Sequence, residues 1–430
     1  MQKLYQGCLN TIVNHSLPGL PLITDTIYPF YNGLSIANIP DSICHWLECP
    51  QISDRPLDSS ILDALNHSFQ HVILLLIDGL GLRLFDRFYQ ESLNTVMHQK
   101  WKPMVMDGVY VPLTSIVPST TSSALTTLWT GKYPCEHGFI GYELFLKEFG
   151  LIANMITHRV PAFLAEPVDI RSAGFDPSKA LPVITLGEHL ENHRVRVNVY
   201  QHESIAFSGL SEMLLKQTHR YRFTEARDLW STLLDNIVRE RDDKTYSYIY
   251  WSSLDTLSHH TGPLSQQLYD EWLSFSNTLN HCITQIKKYK LPSSLFILCA
   301  DHGQIATEIK EDFDLHNHPQ LLTHLVMSPT GESRLPFIYT KQGHEGDVRN
   351  YLSTHWDDQF SMLPSQETLS SGLLGYADPH ISTLDRIGDH TVFPSGNAYW
   401  WWVRKENRLL GRHGGLSRDE MLVPFYALPL

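Results

Sequence analysis

Residues 295–303 read LFILCADHG, and this stretch decides which fold the chain adopts. The run 295–300 has the length and composition of a buried strand, and the polar residues Asp301 and His302 follow it directly. Carboxylate and imidazole groups are metal-ligand side chains. The stretch therefore predicts a metal site where a buried strand ends.

Three other segments place the same types of side chain in similar surroundings. Asp78 closes the apolar run 71–77, whereas His413 lies between glycines. Asp255 and His259 are four residues apart and would share one face of a helical turn. The candidate ligands are therefore Asp78, Asp255, His259, Asp301, His302 and His413. Six ligands on four loops predict two metal ions instead of one.

Each segment also has an ordinary structural explanation. Asp78 and Asp255 are residue types that commonly cap helices or start turns. The other two segments are compatible with a simple turn and a glycine-rich loop. His260 is a rival to His259, although on a helix it points about 100° away. The joint occurrence of all four segments at strand ends or in glycine loops favours the metal site.

Composition predicts an ordered globular protein. The chain has 430 residues, of which 42% are hydrophobic and 18% charged, which excludes a disordered or coiled-coil protein. A formal charge of -13 argues against binding of a nucleic-acid backbone. An anionic substrate would therefore be attracted by local cations or metals.

Cysteine usage and hydropathy predict the compartment. The six cysteines are scattered and form no CxxC pair, so neither a disulfide framework nor a thiolate zinc site is expected. No stretch reaches the about 18 apolar residues that span a membrane, and the first residues lack an apolar signal-peptide segment. We expect a soluble, cytoplasmic protein without membrane contact, and the oligomeric state stays open.

Strand and helix patterns alternate along the chain. Apolar runs predict strands at 72–77, 109–117, 195–200, 247–254 and 295–300, with helical periodicity between them. This pattern predicts an α/β fold with a mostly parallel sheet and helices on both faces. Ligands bind at the carboxyl ends of strands in such sheets, where Asp78, Asp255 and Asp301 fall. Spacings of three and four between apolar residues, starting at Leu264, predict a packed helix over 264–289.

The chain is expected to have four parts. Residues 1–70 form an N-terminal extension packed on the core, and 71–310 form the catalytic α/β core. Residues 311–410 form an inserted cap, and 411–430 return to the core with the last ligand. The aromatic cluster 399–402 in the cap either stacks a base or fills a core, and the core is the preferred interpretation for at least two of its three tryptophans.

A hydroxyl-rich segment offers an anion site. Residues 118–131 read PSTTSSALTTLWTG, and their apolar residues begin at Ala124, which predicts a short helix. Because a helix N-terminus has free N–H groups, a hydroxyl there would face a bound phosphate or sulfate. The alternative is simple N-capping by serine or threonine.

The order of these motifs resembles the type I phosphodiesterase and nucleotide pyrophosphatase family of the alkaline phosphatase superfamily. The resemblance covers about residues 71–303 and 411–426. It is carried by six motifs in one order, namely Asp78-Gly79, Pro118 with Thr121, Thr130-Gly131 with Tyr133-Pro134 and His137-Gly138, Asp255 with His259 and Gly262-Pro263, Asp301-His302-Gly303, and His413-Gly414.

The resemblance implies a two-metal hydrolase with an alkaline-phosphatase-like sheet and an inserted cap. It assigns Asp255, His259 and His413 to one divalent ion. It assigns the other ion to Asp78, Thr121, Asp301 and His302. The ions would be zinc, with manganese as the alternative.

The resemblance also implies a covalent phospho-threonine intermediate. Thr121 is the nucleophile that the family spacing selects, since its distances from Pro118 and from Thr130-Gly131 both match, and Thr120 is the second candidate. The implied substrate is a small phosphate ester, cleaved by phosphodiesterase or pyrophosphatase action. His137 resembles a structural histidine of the family and is not counted as a ligand.

One position departs from the family pattern. Tyr142 stands where well-known nucleotide pyrophosphatases have an asparagine that hydrogen-bonds the phosphoryl oxygen. A tyrosine hydroxyl could donate to a non-bridging oxygen from a longer arm, or the ring could simply form the pocket wall. The alternatives for function are therefore a phosphomonoesterase or phosphonate-ester hydrolase, and, from another class, a catalytically silent binding module. A sulfatase is not favoured, because the Cys/Ser-Pro-Arg pattern is absent around Thr121.

Overall fold

The computed structural model describes residues 2–20, 25–92, 108–160, 168–289 and 291–430. The strands, numbered in chain order, are β1 His71–Ile77, β2 Val109–Thr114, β3 Glu143–Leu146, β4 Leu151–Asn154, β5 Arg159–Val160, β6 Val168–Asp169, β7 Arg196–His202, β8 His219–Phe223, β9 Thr245–Trp251, β10 Ser294–Cys299, β11 Ile305–Ala306, β12 Thr330–Glu332, β13 Leu335–Ile338, β14 Phe360–Pro364, β15 His390–Pro394, β16 Gly411–Arg412 and β17 Leu422–Pro429. The α-helices are α1 Gln2–Val13, α2 Ile39–Trp46, α3 Ser59–Ala64, α4 Leu82–Ser92, α5 Thr121–Thr130, α6 Pro134–His137, α7 Leu186–Asn192, α8 Gly209–Leu214, α9 Ala226–Arg239, α10 Ser253–Thr261, α11 Gln266–Lys288, α12 Pro319–Thr323, α13 Glu345–His355, α14 Ser365–Ser370, α15 Ile381–Arg386 and α16 Arg418–Met421.

The central sheet has seven strands in the order β2-β17-β10-β1-β9-β7-β8. β1 pairs in parallel with β10 on one side and with β9 on the other, and every residue of β1 is buried. β17 runs antiparallel to both of its neighbours, β10 and β2. The predicted α/β class with a mostly parallel sheet is therefore confirmed.

The predicted elements of the core match the structure apart from their ends. The predicted strand 247–254 stops at Trp251, because Ser252 already caps α10. The predicted helix 264–289 is α11, which begins after its N-cap Ser265 and buries the apolar stripe. Leu264 was placed on that stripe wrongly, since it lies before the helix and is 59% exposed.

A second sheet of eight strands takes four strands from the region 311–410, where an inserted cap is expected, and four from the expected core. Its order is β14-β15-β13-β12-β3-β4-β5-β6, so it combines strands from 330–394 with strands from 143–169. A separate hydrophobic cluster packs beside it and includes Trp400 and Trp401, whereas Trp402 is only partly buried. These two tryptophans fill a core, as preferred from the sequence.

Both ends of the chain pack on the central sheet. In α1, the ring of Tyr5 lies 5.2 Å from the ring of Tyr110 in β2. Thr114 at the end of β2 donates a backbone hydrogen bond to the carbonyl oxygen of Leu34.

Within the described ranges, none of the helices combines the length and the apolarity that a membrane span requires.

A buried ion pair connects the second sheet to the C-terminal segment. Arg334, in the turn between β12 and β13, donates from Nε and Nη2 to Glu420 in α16, at 3.1 and 2.7 Å. Glu420 also accepts hydrogen bonds from Gly415 and Ser417. Burial alone would raise the pKa of the Glu420 carboxyl, but Arg334 and these donors lower it below its ordinary value.

We predict that Glu420→Gln destabilises the fold by about 3 kcal/mol, because it leaves a buried guanidinium without its counter-charge. Since the pKa of Glu420 is lowered on folding, its contribution is present above the unfolded pKa and is lost as the pH falls through the folded pKa. Urea unfolding at neutral pH measures the loss, with the exposed Glu308→Gln as control. Equal stability of both variants would show that the pair contributes nothing.

Candidate metal centre

The candidate site lies at the carboxyl ends of three neighbouring strands. β1 ends directly before Asp78, β10 ends just before Asp301, and α10, which follows β9, carries Asp255. Gly79 has a φ of +73°, and a Cβ at this position would lie 3.1 Å from the Cα of Asp255. Glycine is therefore required for the loops after β1 and β9 to approach so closely.

The first half of the site gathers Asp78, Asp301, His302 and Thr121. The Nε2 atom of His302 lies 3.4 Å from Oδ1 of Asp78 and 3.5 Å from Oδ2 of Asp301. The hydroxyl oxygen of Thr121 lies 3.2 Å from the same Nε2 atom and 3.5 Å from Oδ2 of Asp78. All four side chains are buried, so the structure brings this predicted set together.

The second half of the site surrounds Asp255. Nε2 of His259 lies 3.4 Å from one carboxylate oxygen of Asp255, and Nε2 of His413 lies 3.8 Å from the other. The ring of His413 stacks on the ring of His302 at 3.9 Å, which joins the two halves. All seven residues predicted to hold metal thus lie in one cluster. The rival His260 is exposed and is not part of this cluster.

Backbone carbonyls set the orientation of all three imidazoles. The Nδ1 atoms of His259, His302 and His413 lie 2.8, 3.1 and 3.2 Å from the carbonyl oxygens of Gly411, Gly303 and Ser119. A carbonyl oxygen can only accept, so each Nδ1 carries the proton and donates it. Each Nε2 then presents a lone pair to the carboxylates, which is the arrangement of metal-ligating histidines.

Two of the carboxylates each have one oxygen atom without a hydrogen-bond partner. Oδ1 of Asp78 and Oδ2 of Asp301 are buried and accept no hydrogen bond within the described part of the chain. An unpaired charge of this kind is costly to bury. Because lone pairs of imidazoles and carboxylates face one another here, the donor set fits divalent cations, with nitrogen and oxygen ligands that suit zinc or manganese.

The electrostatics of the cluster agree with that fit. Burial, followed by the charges of Asp255 and Asp301, holds the pKa of Asp78 well above its usual range. Burial also raises the pKa of Asp301. Asp255 differs, since the facing imidazoles of His259 and His413 outweigh the effect of burial and lower its pKa. Burial therefore disfavours the charged forms of two of the three carboxyls, those of Asp78 and Asp301.

Thr121 is the first residue of α5 and points into the cluster, whereas Thr120 does not. The hydroxyl of Thr120 donates to Oε1 of Glu332 at 2.5 Å, on β12 of the second sheet. His137 lies away from the cluster, where it accepts from the backbone of Phe139 and contacts Thr127 at 3.0 Å. Burial lowers the pKa of His137 to about 3, which agrees with a structural histidine.

Tyr142 lies at the rim of the cluster and is 40% exposed. Its backbone N–H donates to the carbonyl oxygen of Gly331, which ties it to β12. Burial of its hydroxyl end raises the pKa of Tyr142, with Glu332 and Asp255 among the charges that add to this effect. The hydroxyl of Tyr142 is therefore within electrostatic reach of these two carboxylates.

Three residues of the site escaped the sequence analysis. The hydroxyl of Tyr250 donates to Oδ2 of Asp78, and Nε2 of Gln304 donates to Oδ1 of Asp255. Glu332 is buried beside Thr120, and burial raises its pKa to about 8. Gln304 follows the Asp301-His302 motif directly and could have been suspected for that reason. Nothing in the sequence around Tyr250 or Glu332 marks them.

Comparison with known proteins shows which family the sequence matches. A family model described as type I phosphodiesterase / nucleotide pyrophosphatase matches residues 72–415. Among curated proteins, none is similar enough in sequence to be matched.

Solved structures of low sequence identity share the fold. Murine ectonucleotide pyrophosphatase / phosphodiesterase 5 superposes with a TM-score of 0.60 at 16% identity, over 83% of this chain and 87% of that one. Another structure of that murine protein shows an inactive threonine-to-alanine variant in complex with AMP, at a TM-score of 0.58, 16% identity and the same coverage of both chains. Phosphonoacetate hydrolase from Sinorhizobium meliloti 1021, in complex with phosphonoformate, has a TM-score of 0.57 at 17% identity, over 83% of this chain and 89% of that one. The chain thus shares its fold with these proteins.

We predict that a divalent cation stabilises the fold through this cluster. Adding manganese to chelator-treated protein should raise Tm by several degrees, because cations bind the folded state alone. Asp301→Asn keeps the shape of the side chain but removes a buried charge, so it should lose most of that rise. The exposed Asp270→Asn serves as control and should behave like wild type. An undiminished rise in Asp301→Asn would contradict the assignment.

Proposed function

Because the chain belongs to the type I phosphodiesterase/nucleotide pyrophosphatase family, we propose that it is a metal-dependent hydrolase of small phosphate esters. The preferred substrates are phosphodiesters or nucleotide pyrophosphates. One observation carries the proposal: the hydroxyl of Thr121 lies within 3.5 Å of both Asp78 and His302, at the N-terminus of α5.

Two divalent cations, zinc or alternatively manganese, would occupy the cluster. Asp255, His259 and His413 would hold one of them. Asp78, Thr121, Asp301 and His302 would hold the other. When bound, such cations supply Lewis acidity that stabilises negative charge on the attacking, leaving and non-bridging oxygens.

The residues of the chain position and perform the displacement. Thr121 Oγ1 attacks phosphorus in line, the bond to the leaving oxygen breaks, and the alcohol product takes up the proton that Thr121 gives up. A covalent phospho-threonine results, which water hydrolyses in a second displacement. Two inversions give overall retention of configuration at phosphorus.

The first turn of α5 contributes to charge stabilisation. A helix N-terminus carries partial positive charge, so a phosphoryl group attached to Thr121 lies in a favourable field. Thr120 holds the turn in place through its hydrogen bond to Glu332, on the second sheet. The proposed cap, residues 311–410, thereby supports the nucleophile as well as covering it.

Tyr142 bears on the choice of substrate. In place of the family asparagine, its hydroxyl would donate to a non-bridging oxygen from the rim of the site. This difference favours, as a second candidate, a phosphomonoesterase or phosphonate-ester hydrolase of the same superfamily. The structural relative that binds phosphonoformate and the relative that binds AMP both take small phosphorus compounds.

A silent binding module is disfavoured, because all seven proposed ligands lie in one cluster. The proposal of a cytoplasmic location is supported by six free cysteines, five of them buried.

We predict that Thr121→Ala lowers kcat by a factor on the order of 10⁴ while most bound metal remains, because it removes the attacking oxygen. Ser123→Ala is a matched control in the same helical turn, where the hydroxyl has no hydrogen-bond partner. It should keep near-wild-type turnover. Retained turnover in Thr121→Ala would exclude this nucleophile, and loss of turnover in Thr120→Ala together with that result would transfer the role to Thr120.

For Tyr142→Phe we expect kcat/KM to fall about 10²-fold with the preferred substrate, because a donor to the phosphoryl oxygen is lost. Nitrophenyl monoesters and diesters assayed side by side measure both the loss and the substrate preference. Tyr289→Phe, on the far end of α11, is the control. Unchanged kinetics in Tyr142→Phe would show that the hydroxyl plays no part and that the ring only forms the pocket wall.

A further inference from the structure

A second group of metal-ligand side chains lies outside the active site, on the cap. His324 directly follows α12, His344 directly precedes α13, and Asp347 lies in the first turn of α13. One ligand atom from each lies within 4.8 Å of the other two. In the described ranges, this is the one such group that shares no residue with the candidate active site.

The distances within this group match a tetrahedral metal site. Nδ1 of His324 lies 3.0 Å from Nδ1 of His344, and Oδ2 of Asp347 lies 2.9 and 3.7 Å from these two atoms. Ligands at 2.0–2.1 Å from a tetrahedral zinc ion would be about 3.3 Å apart. The three measured edges bracket that value, so an ion fits between the atoms with small movements.

Protons alone cannot satisfy this arrangement. Each neutral imidazole carries a hydrogen on only one of its two nitrogens. If Nδ1 of His344 carries its proton and donates to Asp347, it has no lone pair with which to accept a hydrogen bond from His324. If His324 donates to Nδ1 of His344 instead, that nitrogen carries no proton, and its contact with Asp347 is no longer a hydrogen bond. A cation would satisfy all three lone pairs at once.

The backbone already holds the three residues in place. Lys341 donates its N–H to the carbonyl oxygen of His324 at 2.9 Å, and His344 donates to the carbonyl oxygen of Lys341 at 3.0 Å. The ammonium of Lys341 is bonded to the carbonyl oxygen of Thr323. Leu325 and Val348 are buried in the second core beside the group. The site is thus preformed by packing and is half-open to solvent.

We propose that His324, His344 and Asp347 bind one first-row divalent cation, zinc by preference, with water completing the coordination. Two imidazoles and one carboxylate suit zinc, while all-oxygen sites suit magnesium or calcium. The ion would join the two ends of segment 325–343, which contains the β12–β13 hairpin. That hairpin also carries Glu332, the hydrogen-bond partner of Thr120, whereas the ion itself would lie outside the active site.

Zinc titration of the full-length protein against a chromophoric chelator tests the proposal. We expect His324→Ala/His344→Ala to bind one equivalent less than wild type, and Asp347→Asn to weaken that equivalent at least tenfold. His316→Ala/His355→Ala is the control with the same number of histidines removed, and it should bind as wild type does. Turnover, which uses other residues, should persist in every variant and reports that each is folded.

Equal stoichiometry and affinity in wild type and in both cap variants would overturn the proposal. So would a loss of the same equivalent in the His316/His355 control. The outcome is separable from the proposed function, because loss of this equivalent with turnover intact leaves the hydrolase assignment standing.

Discussion

Three carboxylates that converge at the ends of adjacent parallel strands, those of Asp78 and Asp301 buried and that of Asp255 partly buried, are the constraint on which the site depends. Asp78, Asp255 and Asp301 cannot all stay charged in a dry environment unless positive charge lies between them. The imidazoles are placed to bind such cations, because each Nδ1 lies within hydrogen-bond distance of a backbone carbonyl oxygen and each Nε2 faces the carboxylates. The fold therefore builds a place for cations by leaving its own charges unpaired.

Other features of the fold bring these three carboxylates together and hold them in place. The central position of β1 between β10 and β9 brings the three loops to one edge of the sheet, and Gly79 removes the side chain that would keep two of them apart. Tyr250 and Gln304 fix the orientation of the carboxylates with single hydrogen bonds. The second sheet contacts the site through Glu332, which accepts a hydrogen bond from Thr120, and the Arg334–Glu420 pair anchors the hairpin that carries Glu332.

The parts of the fold and of the site that the sequence predicts are those that depend on residues close to one another along the chain. Apolar runs that end in Asp78 or Asp301 reveal strand ends, and the motif order assigns Thr121, so the principal residues of the site follow from neighbours along the chain. Long-range pairing is different. The strand β17 was seen only as a C-terminal return, and the joining of 143–169 to 330–394 in one sheet has no local signal. Glu332 becomes part of the site only through that pairing, so it could not have been found.

The most direct test of the central claim is anomalous diffraction from crystals of the purified protein, recorded at the absorption edge of the bound metal. The account predicts two peaks in the cluster, one beside Asp255 and His413 and one beside Asp78 and His302. Density for neither ion in crystals grown with zinc or manganese, with the carboxylates paired to protein groups instead, would contradict it.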